Sequence, residues 1–288
     1  QVEQFWLSYI DALIKVGRFE DAKEVIVAGE QSGVSAAKMG GCRQQLADMP
    51  PTEEGPSKDQ LDSLKSYYHA GNLAEAEVLA VSLTEQFPNH SFGWQVWGVL
   101  LKQTGRIAES LLPMRKAAEL SPHNAEVRSN LGVTLKNLGR LDEAEACFHE
   151  AIELGPDFAE GHNNLGNTLK ELGQLKEAAA SYRQAVALKP DFAEASSNLG
   201  VALQELGKLD EAEDSLRRAI LLKPDYAKAH SNLGVTLKEL GRLEEAEESY
   251  KKAVAFKPDY AKAHCNLGVT LQELRKLDEA EASFRQAI

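Results

Sequence analysis

One feature constrains this chain more than any other, a phrase that returns every 34 residues. With Ala125 as position one, the blocks 125–158, 159–192, 193–226 and 227–260 follow one another without insertion or deletion, and an incomplete fifth occupies 261–288. A period of this length marks a supersecondary unit that cannot bury its apolar face alone and must stack on its neighbours. In the same frame, 57–90 and 91–124 keep Gly71 and Gly105 with Pro88 and Pro122 while losing most of the remaining pattern. A further degenerate copy over 1–36 is announced by Trp6, Gly17, Phe19 and Ala22. Residues 37–56 fall out of phase and end in Pro50-Pro51-Thr52-Glu53-Glu54-Gly55-Pro56, which reads as a linker that lets the N-terminal unit shift against the main array.

Within a full block, Leu131, Leu135 and Leu138 and then Leu141, Ala144, Phe148, Ala151 and Ile152 follow the three-or-four spacing of two amphipathic helices. Gly139, Gly173, Gly207 and Gly241 stand where the first helix must end in a left-handed residue. Pro156, Pro190, Pro224 and Pro258 end the second helix. The aspartates after them, Asp157, Asp191, Asp225 and Asp259, are placed to cap the next helix, with Glu160 and Glu194 at capping-box spacing. Glycines inside the first helices, at 132, 166, 200, 234 and 268, each cost about 1 kcal/mol of helix propensity, so a close approach must require their small size. At position 275 an arginine replaces the hairpin glycine, which predicts strain and an imperfect last repeat.

Asn-Leu-Gly, Gly-Arg-Leu-Asp-Glu-Ala and Lys-Pro-Asp-Tyr together resemble the tetratricopeptide repeat, and the resemblance covers nearly the whole chain apart from 37–56. It implies an all-α, right-handed α-solenoid of stacked helical hairpins whose first helices line a concave groove. The first residue is not methionine, and the chain stops with Phe284 and Ile288 at an uncapped end. A fragment of a longer protein is therefore expected, along with a capacity for end-to-end self-association.

Position six of each first helix is an asparagine: Asn130, Asn164, Asn198, Asn232 and Asn266. A carboxamide both donates and accepts, as a peptide unit does, so a ladder of them suits an extended segment held by its backbone. Here the sequence resembles the repeat superhelix of the O-linked N-acetylglucosamine transferases, which implies a peptide-binding groove and, as an alternative, the substrate-recruiting arm of a larger glycosyltransferase-like enzyme. Asparagine at this position also suits a merely soluble inner face, and the sequence leaves both readings open. One turn on lie Val133, Val201, Val235 and Val269, with Asn167 as the exception. Lys136, Lys170 and Lys238, interrupted by Gln204 and Gln272, add positive charge that either attracts an acidic ligand or pairs with nearby glutamates. The residues before the asparagines, Ser129, Asn163, Ser197, Ser231 and Cys265, lack the lysine of the carboxylate clamp that the family uses to hold chaperone C-termini.

Forty-four acidic against thirty-two basic residues give a net charge of −12 and no basic stripe, so nucleic acid is not an expected partner. No apolar run reaches the roughly 18 residues of a membrane span, and the start lacks the pattern of a signal peptide. Cys42, Cys147 and Cys265 read as reduced thiols, placing the chain in the cytoplasm. His162, His230 and His264 share position four, where packing explains them better than a metal, since no short Cys or His pair occurs. Nucleophile elbows, phosphate loops and out-of-pattern carboxylate pairs are missing. The expected protein is a binding scaffold without catalytic site or cofactor.

Overall fold

A computed structural model of the chain describes residues 2–15, 19–32, 34, 36–47 and 55–287. Gly17, the segment 50–54 and Ile288 lie outside the described residues, as does the side chain of Phe19. Every regular element among the described residues is an α-helix.

The first three, α1 (Val2–Lys15), α2 (Phe19–Gln31) and α3 (Ala36–Ala47), pack on one another around Ile10, Leu13, Ala22, Ile26, Val34 and Met39. The helix α3 occupies much of the out-of-phase stretch, with buried Met39 against the other two helices. Degenerate hairpins follow as α4 (Lys58–His69) with α5 (Leu73–Gln86), and α6 (Ser91–Gln103) with α7 (Ile107–Leu120). The regular hairpins are α8 (Ala125–Asn137) with α9 (Leu141–Leu154), α10 (Ala159–Glu171) with α11 (Leu175–Leu188), α12 (Ala193–Glu205) with α13 (Leu209–Leu222), and α14 (Ala227–Glu239) with α15 (Leu243–Phe256). The last is α16 (Ala261–Glu273) with α17 (Leu277–Gln286).

Each second helix packs on its own first helix and on the first helix of the next repeat. First helices also touch each other across repeats, α8 on α10, α10 on α12, α12 on α14 and α14 on α16, whereas second helices do not approach one another comparably among the described residues. Elements that converge must lie inside a curve and those that diverge outside it. The first helices therefore line the concave face of an all-α solenoid and the second helices its outer wall.

The hairpin turns follow one design. Gly71, Gly105, Gly139, Gly173, Gly207 and Gly241 all have φ between 73 and 79°, and the turn amides close onto the last carbonyls of the first helix, as in Gly241 N–H to Lys238 and Arg242 N–H to Leu237. Arg275 adopts the same left-handed conformation at φ 60°. It keeps both bonds, with its own N–H donating to Gln272 and that of Lys276 to Leu271. The last hairpin is thus formed normally, contrary to the sequence expectation, and the strain is confined to one residue. Arg275→Gly is expected to raise stability by about 1 kcal/mol; an unchanged urea midpoint would show that this turn stores no strain.

The glycines inside the first helices make room for position 24 of the same repeat, which lies on the second helix. A Cβ on Gly132 would stand 2.8 Å from the Phe148 ring, on Gly166 2.7 Å from Tyr182, and on Gly234 2.7 Å from Tyr250. Those three aromatic side chains are fully buried.

The aspartates do not cap as the sequence suggested. The N-cap residues of α10, α12, α14 and α16 are Phe158, Phe192, Tyr226 and Tyr260, without a side-chain bond to the helix amides. Each helix begins two residues after the aspartate, at Ala159, Ala193, Ala227 and Ala261, which leaves the aspartate one residue too early for its carboxylate to cap the first-turn amides. The carbonyls of Asp191, Asp225 and Asp259 instead accept from Ala193, Ala227 and Ala261, while Glu160 accepts from Lys189 at 2.8 Å. A capping box does form at Ser57 with Gln60, and Asn124 caps α8.

Candidate functional site

The five asparagines occupy one register position on the concave first helices, but their surroundings differ. Asn164 Nδ2 donates to Ser129 Oγ of the preceding repeat at 3.3 Å. Asn198 is buried at 7% exposure and spends both of its N–H groups, on Asn163 Oδ1 at 3.1 Å and Asn167 Oδ1 at 3.3 Å. Asn232 Nδ2 is buried without a hydrogen bond. Asn130 and Asn266 are half-buried. A buried donor without a partner costs about 1–3 kcal/mol, a cost Asn232 recovers only by turning its buried amide nitrogen out to an acceptor.

Beside the ladder, half-buried Val133, Val201 and Val235 and the more exposed Val269 form an apolar stripe. Asn167 interrupts it. Its Oδ1 also accepts from the Tyr182 hydroxyl at 2.8 Å. This polar network was not read from the sequence, although a signal existed: Asn163, Asn167 and Tyr182 depart from, or add a polar atom to, the repeat pattern within one block.

The lysines form a second, charged line. Lys136 reaches Glu171 at 3.0 Å, Lys170 reaches Glu205 at 3.4 Å and Lys238 reaches Glu273 at 2.8 Å. Gln204 continues the line by donating to Glu239 at 2.8 Å. Every pair joins one first helix to the next. Exposed pairs of this kind contribute little stability, but they fix register and neutralise much of the lysine charge along the groove. On the outer wall Arg115–Glu143, Arg183–Glu211, Arg217–Glu245 and Lys251–Glu279 join successive second helices in the same manner.

Position four serves the joint between repeats. His230 and His264 Nε2 lie 2.9 Å from the carbonyls of Pro224 and Pro258, and His162 Nε2 lies 3.4 Å from that of Pro156. The indole of Trp94 donates to Pro88 in the same way at 2.9 Å. A carbonyl only accepts, so the Nε2–H tautomer is assigned to each imidazole. At Ser196 the side chain is too short for this bond, and Arg218 from the second helix donates to Pro190 instead, at 2.9 Å. The histidines are therefore structural donors, and the described residues contain no group of three or more His, Cys, Asp or Glu arranged to hold a metal. Cys42, Cys147 and Cys265 are free thiols, and no helix among the described residues is long and apolar enough to cross a membrane.

Burial, with the charge of Lys252 adding to it, lowers the His230 pKa below 6.5 against the opposing bond to Pro224. Burial lowers His90 as well. As pH falls through 6.5 the unfolded chain takes up protons that the folded chain resists, so stability is present above that pH and is lost below it. Urea midpoints are expected to fall between pH 7 and 5, above the range in which the paired carboxylates titrate. His230→Gln, which keeps a donor without a titrating group, should flatten that slope to the part left by His90; an unchanged slope would remove His230 as its source.

A family model described as TPR repeat matches residues 166–207, 202–241 and 236–274, and models described as tetratricopeptide repeat match 125–158, 147–180 and 261–288. A comparison with curated proteins gave no match. Among solved structures, MamA is 29% identical over 55% of this chain and 92% of its own, with a TM-score of 0.51. YrrB, described as a TPR protein with an unusual peptide-binding site, is 26% identical over 69% of this chain and 98% of its own, with a TM-score of 0.52. The Cut9–Hcn1 hetero-tetramer of the APC/C is 16% identical and shares the fold over 98% of this chain and 52% of its own, at a TM-score of 0.66. The matched models together span 125–288, where the left-handed hairpin turns and the glycine–aromatic packing recur, and the chain belongs to the tetratricopeptide repeat family.

Proposed function

We propose that the chain is a protein-binding scaffold that holds an extended peptide, or a disordered segment of a partner protein, along its concave face. The observation that carries this reading is the row of carboxamides at one register position of the converging first helices, flanked by a valine stripe. Amides along such a row match the alternating carbonyls and N–H groups of an extended backbone, and the valines offer apolar contact to its side chains. Asn130, Asn164, Asn232 and Asn266 are the binding rungs, with Asn198 and Asn167 forming a fixed polar stretch between them. Lys136, Lys170 and Lys238 hold the rungs in register through their glutamate partners and leave part of their charge for an acidic residue of the ligand. The peptide-binding description of YrrB supports the same use of the groove.

The test is selection from a displayed library of random 12-residue peptides, followed by titration of the selected peptides. Alanine at Asn130, Asn164, Asn232 and Asn266 together is expected to weaken binding by about 30-fold or more while leaving the helical circular dichroism unchanged. Equal binding by the two proteins would move function to another surface.

A further inference from the structure

We infer that Asn167 makes one point of the groove a reader of ligand side chains, selecting a neutral hydroxyl or carboxamide. This rests on the peptide-binding reading above and adds to it a side-chain preference at one place, which a row of backbone-holding amides does not by itself provide.

Asn167 Oδ1 carries two lone pairs. One is taken by the Tyr182 hydroxyl at 2.8 Å and the other by Asn198 Nδ2 at 3.3 Å. Turning the amide over would aim N–H groups at the Asn198 N–H and lose that bond, so Asn198 fixes the orientation, while the Tyr182 hydroxyl, able to donate or accept, follows it. Asn167 Nδ2 is then left as a pure donor, with no partner among the described residues. Asn198 is fixed in the complementary sense. Both of its N–H groups are spent, on Asn163 and Asn167, and only its Oδ1 remains to accept. No other pair of adjacent repeats combines these features among the described residues, because position nine is otherwise Lys65, Val99, Val133, Val201, Val235 or Val269. Tyr250 supplies a phenol at the position equivalent to Tyr182, but Val235 in its repeat gives that phenol no acceptor.

A ligand group meeting this pair must accept from Asn167 and donate to Asn198. Hydroxyls and carboxamides do both. A carboxylate has nothing to donate to Asn198, and the nearby Lys170 is already engaged by Glu205. An ammonium has nothing to accept with, and an aliphatic side chain buries the donor unpaired. The preferred ligand therefore carries serine, threonine, asparagine or glutamine at the residue opposite Asn167.

Peptides selected from the random 12-residue library by the unaltered protein are expected to share one such residue at a fixed place, and replacing it with valine should weaken binding about tenfold, the worth of one neutral hydrogen bond. The variant N167V/Y182F reproduces the Val133 and Phe148 pairing of the first regular repeat, so it retains a packing that the fold already uses. It should bind the valine-containing peptide at least as well as the original one, with affinity for the rest of the peptide preserved. If the variant keeps the original preference, or if the selected peptides have no shared polar residue, this inference fails while the peptide-binding reading stands. If no peptide is retained by the unaltered protein, both fail.

Discussion

Tyr250→Ala is expected to cost about 3–5 kcal/mol, because the ring is fully buried and its loss opens a cavity between two helices. Gly234→Ala attacks the same contact from the other side. Its new Cβ would lie 2.7–2.8 Å from three ring carbons of Tyr250, an overlap costing about 1–3 kcal/mol and only partly offset by the better helix propensity of alanine. The combined variant should be less damaged than the two losses added together, since the methyl group then projects into the space the ring has left. A coupling of about 1 kcal/mol or more in urea melts is the expected result. Strict additivity would mean that the glycine is small for some other reason. In an array stabilised between neighbours the loss should be local, so amide exchange is expected to accelerate first in α14 and α15 and in the repeats flanking them.

The second large effect concerns binding. Four neutral amides contributing about 0.5–1.5 kcal/mol each make the alanine variant at 130, 164, 232 and 266 weaker by about 2–6 kcal/mol, a factor of roughly 30 to more than 10,000. Asn198 belongs to a different category. Asn198→Ala leaves the oxygens of Asn163 and Asn167 without their shared donor in a buried site, and a stability loss of about 1–3 kcal/mol is expected even without ligand. Circular dichroism melts and peptide titrations on the two variants separate these outcomes. An Asn198→Ala protein with unchanged stability would show that the internal network carries no weight.

Much of this architecture is legible in the sequence because identical local physics repeats at a fixed interval. The hairpin glycines, the terminating prolines and the small residues inside the first helices each answer a constraint that one block poses alone. What the sequence hid depends on contacts between blocks. Five asparagines look alike as letters, yet Asn164 meets Ser129, Asn198 meets Asn163 and Asn167, and Asn232 meets no bonding partner, because the opposing side chain belongs to another repeat. The aspartates do not cap because the N-cap position falls on the aromatic one residue later, so the residue type best suited to capping stands outside the cap. The role of position four was equally concealed, since its partner is a backbone carbonyl six residues earlier that carries no sequence signal.

The bridges between first helices join residues 35 apart, and those between second helices join residues 28 apart. Every one of them links fixed positions in adjoining blocks. Excising 193–226 would bring Lys170 to Glu239 and Arg183 to Glu245, pairs of the same chemistry at the same offsets. The scaffold is in this sense a ruler graduated in whole repeats: duplication or loss of one graduation lengthens or shortens the reach along a ligand while every seam is sewn from stitches already in use.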